Sequence, residues 1–344
     1  TLDRSSAASD VYKRQKDDRA IIITGATGFI AANVIRYLNS IGIVELILVD
    51  ELDKTQKWKN LLGTQYREFV SKHEIFDWLR GKEEKIKAFI HLGACSSTTE
   101  LDGEYFYRNN YRFSIRLAEY ALTHNHRFIY ASSAATYGTG DKGFSDSEDS
   151  IHTFVPLNIY GYSKQMFDLW CKERGILHQV VGLKYFNIFG PYEDHKGSMA
   201  SMVYHMTNQI KEKGFVCLFE STDPQIGHGE QSRDFLYVKD AAKITCSFLH
   251  TNKSGIFNIG SGYATTWNML ATLIANTLGR ECCIRYISMP DYLRNQYQNK
   301  TKADVTKLHK YIKSLGISLY TLESAISDYI NNYLLIRNYA EIIR

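Results

Sequence analysis

From Ile21 onward the chain alternates short apolar runs of β-forming residues with segments of helical periodicity. The runs are AIIITG, VELILVD, KAFIHLGA, RFIYASS and HQVVGLKYF, and helical stretches over 28–40, 104–124 and 159–173 lie between them. Crossovers long enough to hold a helix join strands in parallel and with right-handed connections. The pattern therefore predicts the α/β class: a doubly wound parallel sheet of Rossmann type, covered on both faces. After about Pro191 the rhythm changes to helices near 199–213, 238–250, 266–278, 301–311 and 319–334. Residues 21–190 are thus expected to form a dinucleotide-binding domain carrying a catalytic Tyr and Lys. Residues 191–344 are expected to form mainly a smaller C-terminal substrate-binding lobe over the carboxyl ends of the strands, with some segments returning to the core sheet. Residues 1–20 have no periodic apolar pattern and no initiator Met, and read as an unstructured or non-native arm.

Composition narrows the classes. At 344 residues, with 44% hydrophobic and 23% charged residues, the chain has an ordinary globular make-up. Its formal charge of +4 is spread without a block of like charge, so a nucleic-acid partner is not expected. No apolar run approaches the roughly 20 residues of a membrane span, which gives a cytoplasmic expectation without a membrane partner. Six cysteines form no CxxC pair and read as reduced core thiols, and no metal site is expected.

Two motifs carry chemistry. ITGATGFIAANV closes the first strand and opens the first helix, with Gly25 and Gly28 in GxxG spacing and Ala31 at the third small position. Small residues there let backbone amides and a helix N-terminus approach a pyrophosphate. Asp50, at the end of the second strand, stands where an adenosine ribose is read. In NIYGYSK, Tyr160 and Lys164 lie one helical turn apart. A neighbouring ammonium favours the tyrosine phenolate, which suits proton transfer at an alcohol carbon. Ser132 and Ser133 leave a strand at the carboxyl edge of the sheet, where a hydroxyl meets a substrate oxygen.

Together these motifs resemble the extended short-chain dehydrogenase/reductase superfamily. The runs HLGACSSTTELDGEYFYRNNY, YASSAATYG, YFNIFGPYEDHKGSMAS, RDFLYV and GIFNIGSG resemble more closely its ADP-heptose 6-epimerases, from about Ile21 to about Tyr333. The resemblance implies an isomerase that epimerises C6 of an ADP-heptose by transient oxidation and re-reduction, for lipopolysaccharide inner-core synthesis. It implies bound NADP, NAD remaining open, an ADP-sugar as the small-molecule partner, and a homo-oligomer. It makes Tyr160 and Lys196 the two acid/base groups; the alternative for Lys196 is a lysine that contacts a substrate phosphate. Cofactor contacts follow from Gly25, Gly28, Phe29, Ile30, Asp50 and Glu51. Lys57 and Lys72 match positions that contact a 2′-phosphate. Leu92, Gly93, Ala94, Cys95 and Ser96, with Asn109, Lys164 and His195, complete the cofactor set, although Cys95 by itself reads as a buried structural thiol. Ser133 and Asn187 are implied to hold the sugar, and Ser198, His205, Phe219, Glu220, Ser221, Arg233 and Tyr297 to form the ADP-sugar pocket. Arg233 stands on its own chemistry too, because a guanidinium suits a diphosphate. His205 reads equally well as a packed histidine.

Three departures from the family pattern matter. Ala31 stands where Gly is usual. Glu51 replaces an Asn and adds negative charge near a 2′-phosphate. PQIGHGEQ, residues 224–231, is longer than the family pattern before Arg233. Ala134 and Ala135 follow Ser133 where a dehydratase carries an acidic residue, which disfavours elimination. The rivals are another nucleotide-sugar epimerase or reductase of this fold, and a catalytically silent nucleotide-binding protein.

Overall fold

The structure is a computed structural model and describes residues 18–336 except 99, 295 and 296. The expected arm over 1–20 therefore lies outside the described residues up to 17, while Ala20 already begins the first strand. In chain order the strands are β1 (Ala20–Thr24), β2 (Leu46–Asp50), β3 (Glu68–Ser71), β4 (Ile86–His91), β5 (Arg127–Ser133) and β6 (Val180–Tyr185). They continue with β7 (Asn187–Phe189), β8 (Val216–Phe219), β9 (Ser232–Tyr237), β10 (Gly255–Ile259), β11 (Ala264–Thr266) and β12 (Ile284–Ile287). Seven strands make one parallel sheet in the order β10-β6-β5-β4-β1-β2-β3. The order reverses between β1 and β4, and at their carboxyl ends opens the crevice where such sheets take ligands.

Side-chain alternation sends each strand into two cores. Ile21 and Ile23 pack with Leu46, Leu48 and Ile90 under α1 (Phe29–Ser40). Ala20 and Ile22 pack with Ile47, Val49, Phe89 and Phe128 under α2 (Phe113–Thr123) and α3 (Ile159–Glu173). Both faces are thereby dry, as continuous apolar strands require. A third core joins α4 (Met202–Lys213), α6 (Trp267–Thr277) and α8 (Leu322–Tyr329) to β8 and β9, while α5 (Val238–Ser247) and α7 (Thr306–Ser314) return to the first.

Several expectations shift. β3 was not expected because only Phe69 and Val70 are apolar in this edge strand, and β10 joins the core sheet beside β6. The helix expected over 104–124 is interrupted by a π-helical turn at Tyr107–Arg112. The helix expected over 301–311 begins only at Thr306, whose N–H is taken by the Asp304 carboxylate at 3.1 Å. Of the cysteines only Cys171 and Cys246 are buried, and Cys283 is exposed, so the reading of six core thiols is corrected. Among the described residues no helix is long and apolar enough to cross a membrane, and no cluster of three metal-ligating side chains is present.

Candidate active site

Gly25 turns the chain from β1 towards α1 with φ +67°, and a Cβ there would stand 2.5 Å from Gly93 Cα. β1 and β4 are neighbours, so their carboxyl-end turns pass backbone against backbone. The turn then presents the start of α1, whose N-cap Gly28 has no side-chain cap and whose first turn has no acidic residue. Free amides and the positive end of a helix dipole suit a diphosphate. Gly25, Gly28, Phe29 and Ile30 line a cleft of about 600 Å³.

At the carboxyl end of β2, Asp50 accepts from the Thr27 amide at 2.9 Å and hydroxyl at 2.5 Å. Lys57 sits 3.5 Å from Asp50 and 3.1 Å from Asp53; burial works against its ammonium, but the two carboxylates raise its pKa on balance. Glu51 is paired with Lys72, whose hydrogen bond holds the Glu51 carboxyl below its ordinary range. Lys72 also donates to Asn109 at 3.3 Å. Asp50 and Glu51 are thus each paired with one of the two lysines. Leu92, Gly93, Ala94, Cys95 and Ser96 form the next part of the cleft wall. Asn110, turned inward by the π-helical turn, holds this stretch: it accepts from the Cys95 amide at 2.8 Å and donates to the Cys95 carbonyl at 2.9 Å and to Ser163 at 3.0 Å. Cys95 is partly exposed on the cleft, which corrects its reading as a buried thiol.

Ser133, Tyr160, Lys164 and Lys196 line the same cleft. α3 starts one residue before Tyr160, capped by Asn158, whose side chain accepts from the Gly161 amide at 2.9 Å. Burial pushes the Tyr160 phenol up, and a hydrogen bond from Ser133 opposes it. Lys164 is buried and donates to the Ala131 carbonyl at 2.8 Å. Burial pulls its ammonium down to about 8, against Asp168 and Cys95. The Ser133 hydroxyl meets the Tyr160 phenol, and the Lys164 ammonium one turn on is anchored to the Ala131 carbonyl of β5. Beneath lies a closed polar network. Lys184, fully buried, meets Asp168 at 2.5 Å and Thr136 at 2.8 Å, and Asp168 also accepts from Ser132 at 2.7 Å and Tyr130 at 2.9 Å.

Lys196 arrives from the other side, on the loop from Gly190 to Ser201, with its ammonium 5.2 Å from the Phe29 ring centre. Burial lowers its pKa and Glu193 opposes. Asn33 donates to the Pro191 carbonyl at 3.0 Å, and Arg36 lies 3.9 Å over the Tyr192 ring. Asn60 reaches the Thr27 carbonyl, the Tyr192 carbonyl and His195 Nδ1 at 2.9, 3.2 and 3.0 Å. Thr27, Asn33, Arg36 and Asn60 escaped the sequence reading because nothing in their type or spacing marks them. Only the fold brings them together.

The expected substrate residues divide. Asn187 and Ser133 line the cleft, whereas Ser198, His205, Phe219, Glu220, Ser221, Arg233 and Tyr297 do not. Arg233 is buried with its guanidinium carbon 5.3 Å from the Trp267 ring centre and 5.0 Å from that of Tyr297. Trp267 lines the cleft and donates to the Tyr297 hydroxyl at 2.8 Å, so Arg233 and Tyr297 stand directly behind that wall. Phe219 packs edgewise on Tyr297, Glu220 accepts from Ser288, Ser221 donates to His228, and His205 meets the Ser198 carbonyl at 3.3 Å. Trp267 and Phe235 were missed as wall residues. Both read as ordinary core aromatics.

A glycine turn at the switch point, with serine, tyrosine and lysine around one cleft, defines a dinucleotide-dependent enzyme acting through an alcohol carbon. The chain belongs to the NAD dependent epimerase/dehydratase family, whose pattern matches residues 21–260. It is 40% identical over 316 residues, 91% of this chain and 97% of the relative, to ADP-L-glycero-D-manno-heptose-6-epimerase of Nitratidesulfovibrio vulgaris strain DP4. To the enzyme of that name from Fusobacterium nucleatum subsp. nucleatum it is 42% identical over 328 residues, 91% of this chain and 98% of the other. The crystal structure of the Helicobacter pylori ADP-L-glycero-D-manno-heptose-6-epimerase superposes with a TM-score of 0.78 at 28% identity, covering 94% of this chain and 99% of that one.

Proposed function

We propose that this chain converts ADP-D-glycero-D-manno-heptose to its L-glycero epimer at C6, with bound NADP, as a cytoplasmic step towards the lipopolysaccharide inner core. The activity for which the relatives are named supports the substrate. The carrying observation is that two proton-transfer side chains, Tyr160 on α3 and Lys196 on the 190–201 loop, line one cleft from separate elements. A dehydrogenase that meets its carbonyl in one orientation needs one such group, whereas an epimerase presenting both faces of a carbonyl needs one for each. A nicotinamide dinucleotide seated along the glycine turn supplies reversible hydride acceptance at C6. Tyr160 accepts the O6 proton in one presentation, assisted by the Ser133 hydroxyl. Lys196 exchanges the O6 proton in the other. Lys164 holds its positive charge beside the reacting oxygen. Arg233 serves the diphosphate through movement at the Trp267 wall, with Asn187 on the sugar.

NADP rather than NAD is supported by the pairing of Glu51 with Lys72 and by Lys57 over Asp50. Residues 21–190 then act as the dinucleotide-binding part and the later segments as the substrate lobe, in a homo-oligomer. The test is incubation with ADP-D-glycero-D-manno-heptose and no added cofactor, followed by NMR of C6. Appearance of the epimer supports the reading, and net consumption of NADPH in its place makes the protein a reductase. Mass analysis of the dinucleotide released on denaturation decides the cofactor: NAD alone overturns NADP. Light scattering reads the assembly.

A further inference from the structure

The loop that delivers Lys196 contains a carboxylate with no access to solvent. Glu193 is fully buried, and three donors converge on it. One oxygen accepts from the Gly190 amide at 3.2 Å and the Ser201 hydroxyl at 2.7 Å, and the other from the Ser201 amide at 2.6 Å. Gly190 directly follows β7 and Ser201 is the N-cap of α4, so one side chain ties the two ends of the loop. Its own carbonyl accepts from the Lys196 amide at 2.9 Å. An ionised carboxylate accepts at both oxygens, so two amides and a hydroxyl aimed at it favour the charged form over a carboxyl that must itself donate from one oxygen. The arrangement therefore selects the anion, although burial pushes the Glu193 carboxyl up while Ser201 and Lys196 oppose it.

An acidic residue in a polar loop is ordinarily solvated. A buried anion needs both hydrogen bonds and a counter-charge, and the ammonium whose charge acts on it is that of Lys196, three residues on and bonded through its amide to the Glu193 carbonyl. The other charged groups on this loop are Asp194 and His195, and Lys57 acts on His195. Phe29 faces the ammonium from α1 with no charge, and Tyr160 and Lys164 stand elsewhere on the cleft wall.

We propose that Glu193 is the positioning residue for Lys196: its carboxylate staples the loop at Gly190 and Ser201 and supplies the fixed negative charge that keeps Lys196 an ammonium inside the cleft. The inference rests on Lys196 being the second acid/base group, and its test reads Lys196 directly. In the holoenzyme, the titration of Lys196 is followed by the pH dependence of its reductive methylation, with peptide mass analysis, in wild type, Glu193→Gln and Glu193→Asp. Glu193→Gln removes the charge and should move the Lys196 midpoint to lower pH by about one unit, the scale set by a neighbouring charge. Glu193→Asp keeps the charge but is one methylene short. Its Lys196 midpoint should stay near wild type while kcat falls about tenfold and KM changes little, as for a misplaced proton-transfer group. An unchanged Lys196 midpoint in Glu193→Gln overturns the proposal, as does a Glu193→Asp enzyme whose midpoint falls as far as in Glu193→Gln. If Glu193→Gln does not fold, Glu193→Asp alone decides, and a midpoint lowered by a full unit there overturns the counter-charge. Failure of the acid/base reading shows separately, as full kcat in Lys196→Met.

Discussion

The cleft holds Tyr160 and Lys196, the two proposed proton-transfer groups, by opposite means. Tyr160 and Lys164 stand one turn apart on α3, a 15-residue helix packed against β5, and the buried Lys184–Asp168 pair locks helix to sheet behind them. Lys196 stands on a loop that contains Tyr192 and Gly197 at positive φ, +74° and +54°. Its bonds run sideways, to Asn33 and Arg36 on α1 and to Asn60 in the turn after β2. The first group owes its place to main-chain ladders within regular elements. The second owes its place to side chains rooted in α1 and in the turn after β2, so anything that orders the glycine turn and α1 also orders Lys196.

The comparison breaks first, and hardest, at the helix side. Asp168→Asn leaves the Lys184 ammonium buried without its anion and should cost about 3–5 kcal/mol of stability in denaturant unfolding. Replacing both partners, Asp168→Leu with Lys184→Met, should recover part of that loss, the remainder being the Tyr130 and Ser132 hydroxyls left without their acceptor. A double variant as unstable as the single one would mean that the ion pair is not what locks α3 to the sheet.

Next come the proton-transfer groups themselves. Tyr160→Phe and Lys196→Met should each lower kcat for epimerisation by about 100-fold or more, the scale of a general acid or base. If Lys196→Met raises KM alone, the loop side carries a binding lysine and the two sides are not chemical counterparts.

The helix side was far more legible in the sequence than the loop side. β1, β2 and α3 follow from apolar runs, a glycine turn and an i, i+4 pair, because regular structure imposes its period on the residues that form it. The residues that the family resemblance implied for the cofactor all line the cleft. The loop's anchors were not legible. Asn60 is buried only because three acceptors from distant segments converge on it, and Glu193 stood unremarked in a polar stretch. The substrate side was least legible, since Arg233 is placed by β9 of a small second sheet whose order, β11-β9-β7, no local pattern announces.

A pH experiment sharpens the contrast at smaller scale. Burial lowers Lys164 from 10.5 to about 8. Below pH 8 both folded and unfolded chains carry that proton, and the cost of burying the charge is felt in full. Between pH 8 and 10.5 the unfolded chain holds more protons, so this residue makes stability rise with pH. Lys164→Met should abolish that rise, and the variant's advantage or deficit relative to wild type should change steadily across the window in denaturant titrations. A difference that stays flat from pH 7 to 10.5 would show that Lys164 titrates like a solvated lysine.

The smallest effect expected is at Asn60. Its amide nitrogen has two hydrogens and three acceptors in reach, the Thr27 and Tyr192 carbonyls and His195 Nδ1, so no single bond there is at full strength. Asn60→Ala strands buried carbonyls at a cost of about 1–3 kcal/mol. That cost should fall on the loop and not on the whole molecule, because Asn33 and Arg36 still hold Pro191 and Tyr192. Native-state hydrogen exchange is the direct measurement. The Lys196 amide, which depends on the Glu193 carbonyl, should exchange about tenfold faster for each 1.4 kcal/mol lost from local opening, while amides inside α3 keep their wild-type rates. Equal acceleration in α3 would mean that helix and loop open as one unit, and the two sides of the cleft would then be held by a single structure after all.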